Sequence, residues 1–350
     1  MNKLKLALLA SLMAVSAIVP AAAATKLILA EAGPDRGPRA EATKWFAKEV
    51  ESRTGGNVTV EVHWGGALFS ANSAVSALRN GVADLGTVIG VYFPQDMLAY
   101  DMADIPIPND DPWVGMRAVD DIMRTDPKVQ ENLADQNLVY VGTFTTSAVQ
   151  VGCKGKTIRT LDDLKGVKVR GVGAYGKAFK DLGAVPVDMN VYEAYQGLET
   201  GLIDCTQTYP YLVKALKFNE VFDSYTELDW GQVGALGVFM NKDSFDALPE
   251  ADQAAVMEAG KGMADEFGKL LMKANTESVD ILKAEGKEVL KLSDADHQKL
   301  LAAGEPYIAE WVQRADAAGL DGEGMVQQYK DLIKQYRSER DEKGYPWDRK

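Results

Sequence analysis

Immediately after an N-terminal apolar segment, the chain alternates between two hydrophobic periods, and that alternation restricts the architecture more than any other feature. Residues 26–30 are a short apolar run, and a Gly/Pro loop follows (Gly33-Pro34, Gly37-Pro38). Residues 40–52 then read as a helix, and 58–62 form a second apolar run after the Gly55-Gly56-Asn57 turn. Strand, crossover helix and strand in that order make a parallel α/β unit. Further short apolar runs lie at 139–141, 149–152, 167–170, 184–187, 202–205 and 234–240.

One pattern occurs twice. Leu78-Arg79-Asn80-Gly81-Val82-Ala83-Asp84 and Leu198-Glu199-Thr200-Gly201-Leu202-Ile203-Asp204 share Leu-x-x-Gly-apolar-apolar-Asp. It predicts a helix whose last turn carries the Leu, a Gly in the left-handed conformation that closes it, and a buried strand directly after. The chain is also longer than one hydrophobic core usually organises, so the recurrence predicts two related α/β lobes.

The N-terminus has the layout of a secretory signal peptide: Lys3 and Lys5, an apolar run over 6–19, then four alanines at 21–24. The run is shorter than the ~20 residues that cross a bilayer. Cleavage after Ala24 and an exported, soluble chain of about 325 residues are therefore expected. Losing two lysines and no acid takes the net charge from −13 to about −15. Such a charge disfavours nucleic acid and anionic membranes as partners, and an anionic ligand would need a locally positive site. Only two cysteines are present, Cys153 and Cys205; an oxidising compartment permits a disulfide, and two buried thiols are the alternative. His63 and His297 are too few and too scattered for a His/Cys metal site.

Beyond Met240 the pattern turns helical. Pro249 opens a stretch reaching about residue 285, with Met263, Phe267, Leu270, Leu271 and Ala274 on one face. Ser293 reads as the cap of a helix through Trp311. Gly319 to Gly324 breaks it, and Met325, Tyr329, Leu332, Ile333 and Tyr336 form a last stripe. The charged tail, 338–350, reads as a solvated end.

The chemistry concentrates at Val167-Lys168-Val169-Arg170, followed by Gly171-Val172-Gly173-Ala174-Tyr175-Gly176. The glycines match a dinucleotide fingerprint in form, but a long cationic residue occupies the strand end, and no cofactor is expected. The segment instead offers a guanidinium at the carboxyl end of a strand beside a glycine-rich helix start, a general anion site. The competing reading makes Arg170 a surface ion pair with Asp162 or Asp163. No nucleophile elbow, zinc-protease helix or Cys/His nucleophile pair is present, so binding rather than catalysis is expected.

The stretch Leu161-Asp162-Asp163-Leu164-Lys165-Gly166-Val167-Lys168-Val169-Arg170 resembles the Asp-Leu-Lys-Gly-x-Lys-x-Arg signature of the extracytoplasmic solute receptors of TRAP transporters, the DctP-type family. Leu182-Gly183-Ala184-Val185-Pro186-Val187, Glu193-Ala194-Tyr195-Gln196-Gly197-Leu198, Gly201-Leu202-Ile203-Asp204 and Met240-Asn241-Lys242 follow in the family's order. The resemblance implies a two-lobed periplasmic binding protein of type II-like α/β fold, with a ligand cleft between the lobes and a long late helix. It also implies a small organic acid as ligand, a carboxylate or a sulfonate, and TRAP membrane permease subunits as partners. Residues 25–147 plus about 241–350 would form lobe I, and 148–240 lobe II.

By the same resemblance Arg170 holds the ligand's acid group. Thr208 stands where many members carry a ligand-contacting Asn, and Trp230 where the family often places a contact, with hinge packing as its alternative. Trp64, Phe69, Tyr92, Tyr209 and Tyr211 are further candidates for the cleft walls. Residues 143–150 lack the second Arg of sialic-acid receptors, which argues against that ligand. Cys153 and Cys205 stand as in a subgroup with one Cys before the signature and one after the Gly-x-x-Asp, and one disulfide within lobe II is expected.

Overall fold

Parallel and antiparallel pairings share both sheets of the computed structural model, which describes residues 24–349. The leader expected over 1–24 lies outside those residues except for Ala24. In chain order the strands are β1 (Thr25–Ala30), β2 (Val58–His63), β3 (Leu85–Ile89), β4 (Leu138–Phe144), β5 (Val149–Cys153), β6 (Lys168–Arg170), β7 (Val185–Val187), β8 (Cys205–Thr208), β9 (Ser224–Trp230), β10 (Leu236–Asn241) and β11 (Glu288–Lys291). The first sheet runs β2-β1-β3-β10-β4 and the second β11-β9-β5-β8-β6-β7. Each sheet anchors one lobe.

The opening unit has the expected form. β1 pairs in parallel with β2 and β3, and the crossover helix Pro38–Arg53 buries Phe46 and Val50 against the sheet. Pro38 starts that helix without a donor to lose. In the second sheet β6 lies parallel to β7 and β8, while β5 runs antiparallel to β8 and β9.

The repeated motif is real, but its strand starts later than expected. Gly81 and Gly201 both adopt left-handed φ, 70° and 73°. The first apolar residue after each is exposed, Val82 and Leu202, and the second is buried, Ala83 and Ile203. β3 and β8 begin only after the aspartates, at Leu85 and Cys205. The apolar pair is a turn because the aspartate does the anchoring: Asp84 Oδ2 accepts the Ile28 N–H at 2.8 Å, and Asp204 Oδ2 accepts the Lys168 N–H at 2.9 Å. Each carboxylate thus reaches the neighbouring parallel strand of its own sheet.

Two strand connections pass between the sheets, β4 to β5 through 145–148 and β9 to β10 through 231–235. They are tied to each other. Thr146 N–H donates to the Val233 carbonyl at 3.0 Å, Val233 N–H to Thr146 Oγ1 at 2.9 Å, and Val149 N–H to the Gly231 carbonyl at 3.2 Å. Gly231, at φ 54°, leaves no room for a side chain: an added Cβ would lie 2.4 Å from the Tyr175 hydroxyl.

The expected long late helix is Met263–Ala284, and the helix Glu250–Lys261 leads into it through Gly262. An added Cβ at Gly262 would lie 2.6 Å from the Trp45 ring, so the joint is also a packing seat. Met263, Phe267 and Leu271 are buried as the stripe required. After it, Glu288–Lys291 joins the second sheet as β11, parallel to β9, so the segment beyond 241 reaches both sheets. Ser293 caps the helix Asp294–Ala317, which extends past Trp311.

The tail is solvated along much of its length but anchored at a few side chains. The helix Gly322–Lys343 carries Arg340 onto buried Asp111 at 2.6 Å, and the Tyr345 hydroxyl donates to the same carboxylate at 2.8 Å. Asp111 caps the helix Pro112–Thr125, and burial makes its charge require these partners. Tyr345 and Trp347 stack at 4.7 Å, and Tyr345 meets the Trp113 ring edge-on. Among the described residues no helix is long and apolar enough to cross a membrane.

Candidate ligand-binding site

β6 is only three residues long, and it delivers Arg170 to the interior with 1% of its surface exposed. The surface ion pair is not formed. Asp162 pairs with Lys165, and Asp163 closes a capping box with Thr160. Arg170 is held by neutral oxygens alone: Nε donates to the Met189 carbonyl at 3.1 Å, Nη1 to the Gln207 carbonyl at 3.3 Å and Nη2 to the Tyr92 hydroxyl at 3.0 Å. No ion pair among the described residues includes it. A buried cation without a counter-charge is costly, and such an arrangement favours an anion brought close.

The glycine loop after β6 is a packing device. Gly171 and Gly176 touch backbone to backbone, and a Cβ on Gly171 would lie 2.7 Å from the Gly176 Cα. The turn brings the start of the helix Gly173–Asp181 against the end of β6.

Arg170 lines a small cavity of about 30 Å³ between the lobes. Tyr92, Tyr209 and Tyr211 line it too, as do Arg39 and Tyr192, with Ile89, Val91, Val172, Val191 and Val233 among the apolar walls. Val91, Tyr92 and Val172 also border an open groove of about 730 Å³ that the helix Asp294–Ala317 flanks with Tyr307, Glu310, Trp311 and Arg314.

Several contacts cross from one lobe to the other here. The Tyr92 hydroxyl accepts both the Arg170 Nη2–H and the Val191 N–H, each at 3.0 Å. With its acceptor capacity occupied, its own proton is left to donate. Arg39 Nη2 donates to the Tyr192 hydroxyl, and Arg36 Nε donates to the Ala215 carbonyl at 2.5 Å. Gln207, fully buried, positions the far wall: its Oε1 accepts the Val172 N–H at 2.9 Å and its Nε2 donates to the Tyr209 hydroxyl at 3.0 Å.

Burial raises the phenols of Tyr192, Tyr209 and Tyr211. Tyr209 lies well above its usual range by burial despite the opposing Arg170 charge, and Tyr211 is pushed up to about 12, again by burial against the pull of Arg39. These three are neutral at physiological pH. Burial works against the Arg39 cation, but Glu31 and the phenol of Tyr192 outweigh it, and the guanidinium is firmly charged.

The cavity therefore brings together four of the eight candidates, Arg170, Tyr92, Tyr209 and Tyr211. Thr208 points away from it, buried on β8 with its hydroxyl unpartnered. Trp230 is packed edge-on against Tyr175 and Phe179 beside the strand crossing, which is hinge packing. Trp64 borders a separate small pocket beside Arg36 and lies under the Lys44 ammonium. Phe69 is buried in the core of the first lobe. Arg39, Glu31, Tyr192 and Gln207 were not anticipated.

Comparisons with known proteins bear on the family and the fold. Residues 29–314 match the model of bacterial extracellular solute-binding proteins, family 7. The chain is 26% identical over 251 residues to the 2,3-diketo-L-gulonate-binding periplasmic protein of Escherichia coli, covering 71% of this chain and 76% of that one. A TRAP periplasmic solute-binding protein from Desulfovibrio salexigens superposes with a TM-score of 0.77 at 26% identity, over 89% of this chain and 96% of that one. One from Bordetella bronchiseptica with bound mandelate superposes at 0.81 and 22%, over 89% and 99%. Matched over residues 29–314, this chain belongs to the DctP family of bacterial extracellular solute-binding proteins.

Proposed function

We propose that this chain is the periplasmic receptor of a TRAP transporter, that it closes on a small carboxylate gripped by Arg170, and that it delivers the acid to membrane permease subunits. The family supports the receptor role and an extracytoplasmic place of work. Similar structures hold uronates, mandelate, benzoate and pyroglutamate, small organic acids throughout. The observation that carries the reading is Arg170, a fully buried guanidinium whose partners are all neutral.

The mechanism is binding with closure. An acid entering the open cleft meets the Arg170 fork, which matches a carboxylate with parallel N–H donors. The Tyr92 proton adds a donor from the opposite lobe, so the ligand gains its full set of hydrogen bonds only when the lobes meet. A thermal-shift screen of sugar acids, aromatic acids, keto acids and sulfonates, followed by calorimetry, tests it. A ligand present at a hundred times its Kd adds about 2.7 kcal/mol of stability. If no organic acid shifts the transition, the reading fails.

A further inference from the structure

We propose that the buried Glu31–Arg39 pair sets the charge of the cavity, so that the site takes an acid with a single carboxylate and a neutral hydroxyl or keto oxygen at its far end. The inference rests on the reading of Arg170 as the carboxylate grip.

Arg39 and Arg170 both line the cavity and come from different lobes. They are not equivalent. Arg39 lies 3.3 Å from the Glu31 carboxylate, which is 1% exposed, whereas Arg170 has only neutral partners. Glu31 is held in place on both oxygens: Oε1 accepts the Gly33 N–H at 2.6 Å and Oε2 accepts the Thr87 hydroxyl at 2.7 Å. It cannot swing away to release Arg39 without breaking those bonds. The Arg39 charge is thus already matched, and the enclosed region carries one net positive charge, at Arg170.

One carboxylate on the ligand balances that charge. A second would enter as an unmatched buried anion beside Glu31, and desolvation in a closed low-dielectric site makes that expensive. What the Arg39 end offers is donors. The Tyr192 hydroxyl accepts from Arg39 and keeps its own proton free. Such a group suits a neutral acceptor oxygen. Tyr192 belongs to the opposite lobe from Arg39, so the ligand's far end is read only on closure.

Calorimetry on the mature chain tests this with two matched pairs of probes, 3-hydroxybenzoate against isophthalate and 5-hydroxypentanoate against glutarate. On whichever skeleton binds, the monoanion is expected to bind at least tenfold tighter than the dianion. Glu31→Gln should move that ratio at least tenfold toward the dianion. The Glu31→Gln/Arg39→Gln double variant restores the original net charge and should restore the monoanion preference, which a loss of packing alone would not do. The inference is overturned if the wild type binds the dianion as tightly, or if Glu31→Gln folds and leaves the ratio unchanged; binding of any probe that depends on Arg170 keeps the receptor reading intact in that case. If neither skeleton binds in either form, the inference falls, while the receptor reading is decided by the wider screen of acids. Should Glu31→Gln not fold, the wild-type ratio and the double variant decide.

Discussion

The Tyr92 hydroxyl and the Arg170 guanidinium, one from each lobe, meet at 3.0 Å, and the same hydroxyl takes the Val191 N–H at the same distance. One oxygen thus carries two of the bonds that hold the lobes together. Tyr92→Phe should weaken ligand binding by about 1–2 kcal/mol, the worth of one or two such bonds. Stability without ligand should fall by no more than about the same amount. An affinity unchanged in calorimetry would place closure elsewhere.

Arg170→Ala should preserve the fold and cost about 2–5 kcal/mol of binding, because a buried carboxylate then lacks its partner. Arg170→Lys should recover part of the loss: an ammonium keeps the charge without the planar fork. Calorimetry with the acid found by the screen distinguishes this from a purely structural arginine, whose alanine variant would melt earlier yet bind as before.

Cys153 and Cys205 are directly paired across β5 and β8, with Cα atoms 4.0 Å apart, and form a disulfide. Its 52-residue separation corresponds to about 4 kcal/mol in the chain-entropy model. The double serine variant should lose most of that in urea unfolding while retaining its ligand. A loss under about 1 kcal/mol would contradict the entropic account.

Two buried carboxylates beneath the groove give a pH dependence. Burial, partly offset by Arg314, pushes Asp101 up to about 6, and burial with the Asp101 charge holds Asp104 well above the usual range. An acid raised in the folded state lends stability that is complete below its unfolded pKa, about 4. That contribution is lost as the pH rises through about 6. Asp104→Asn keeps an acceptor for the Ala235 N–H and carries no charge. It should be more stable than wild type by roughly 1–3 kcal/mol at pH 7.5, with the advantage fading toward pH 4. Urea melts at the two pH values check it, and an equal gain at both would point to packing instead.

Arg170 was legible in the sequence because a strand, an arginine and a glycine turn are contiguous there. Arg39 was not. It sits in the first turn of a helix whose pattern explains it as surface; its partner Glu31 comes from the loop after β1 of the same lobe, and Tyr192 meets it from the opposite lobe. Thr208 lies outside the cavity lining, and its neighbour on the alternating strand, Gln207, is the one that reaches Tyr209. The repeated motif was recognised from its glycines, yet its strands were set too early, because a turn that exposes Val82 and Leu202 reads like the start of a buried strand. The tail misled for a similar reason: Arg340 is an exposed charge until the distant Asp111 is known to be buried beneath it.

The position of β10 between β3 and β4 has a consequence for the order in which the protein can assemble. Leu236–Asn241 supplies the strand that joins β1–β3 to β4, and all of β5 to β9 precedes it in the chain. A chain that has emerged only as far as residue 235 leaves β3 and β4 with bare edges, and β3 is buried along its whole length in the finished molecule. Unpaired apolar edges of this kind invite pairing with other chains. The lobe that begins the polypeptide is therefore the one that must wait. Fragments cut at the first strand crossing should aggregate rather than fold, and an exported chain needs its edges shielded until residue 241 has arrived.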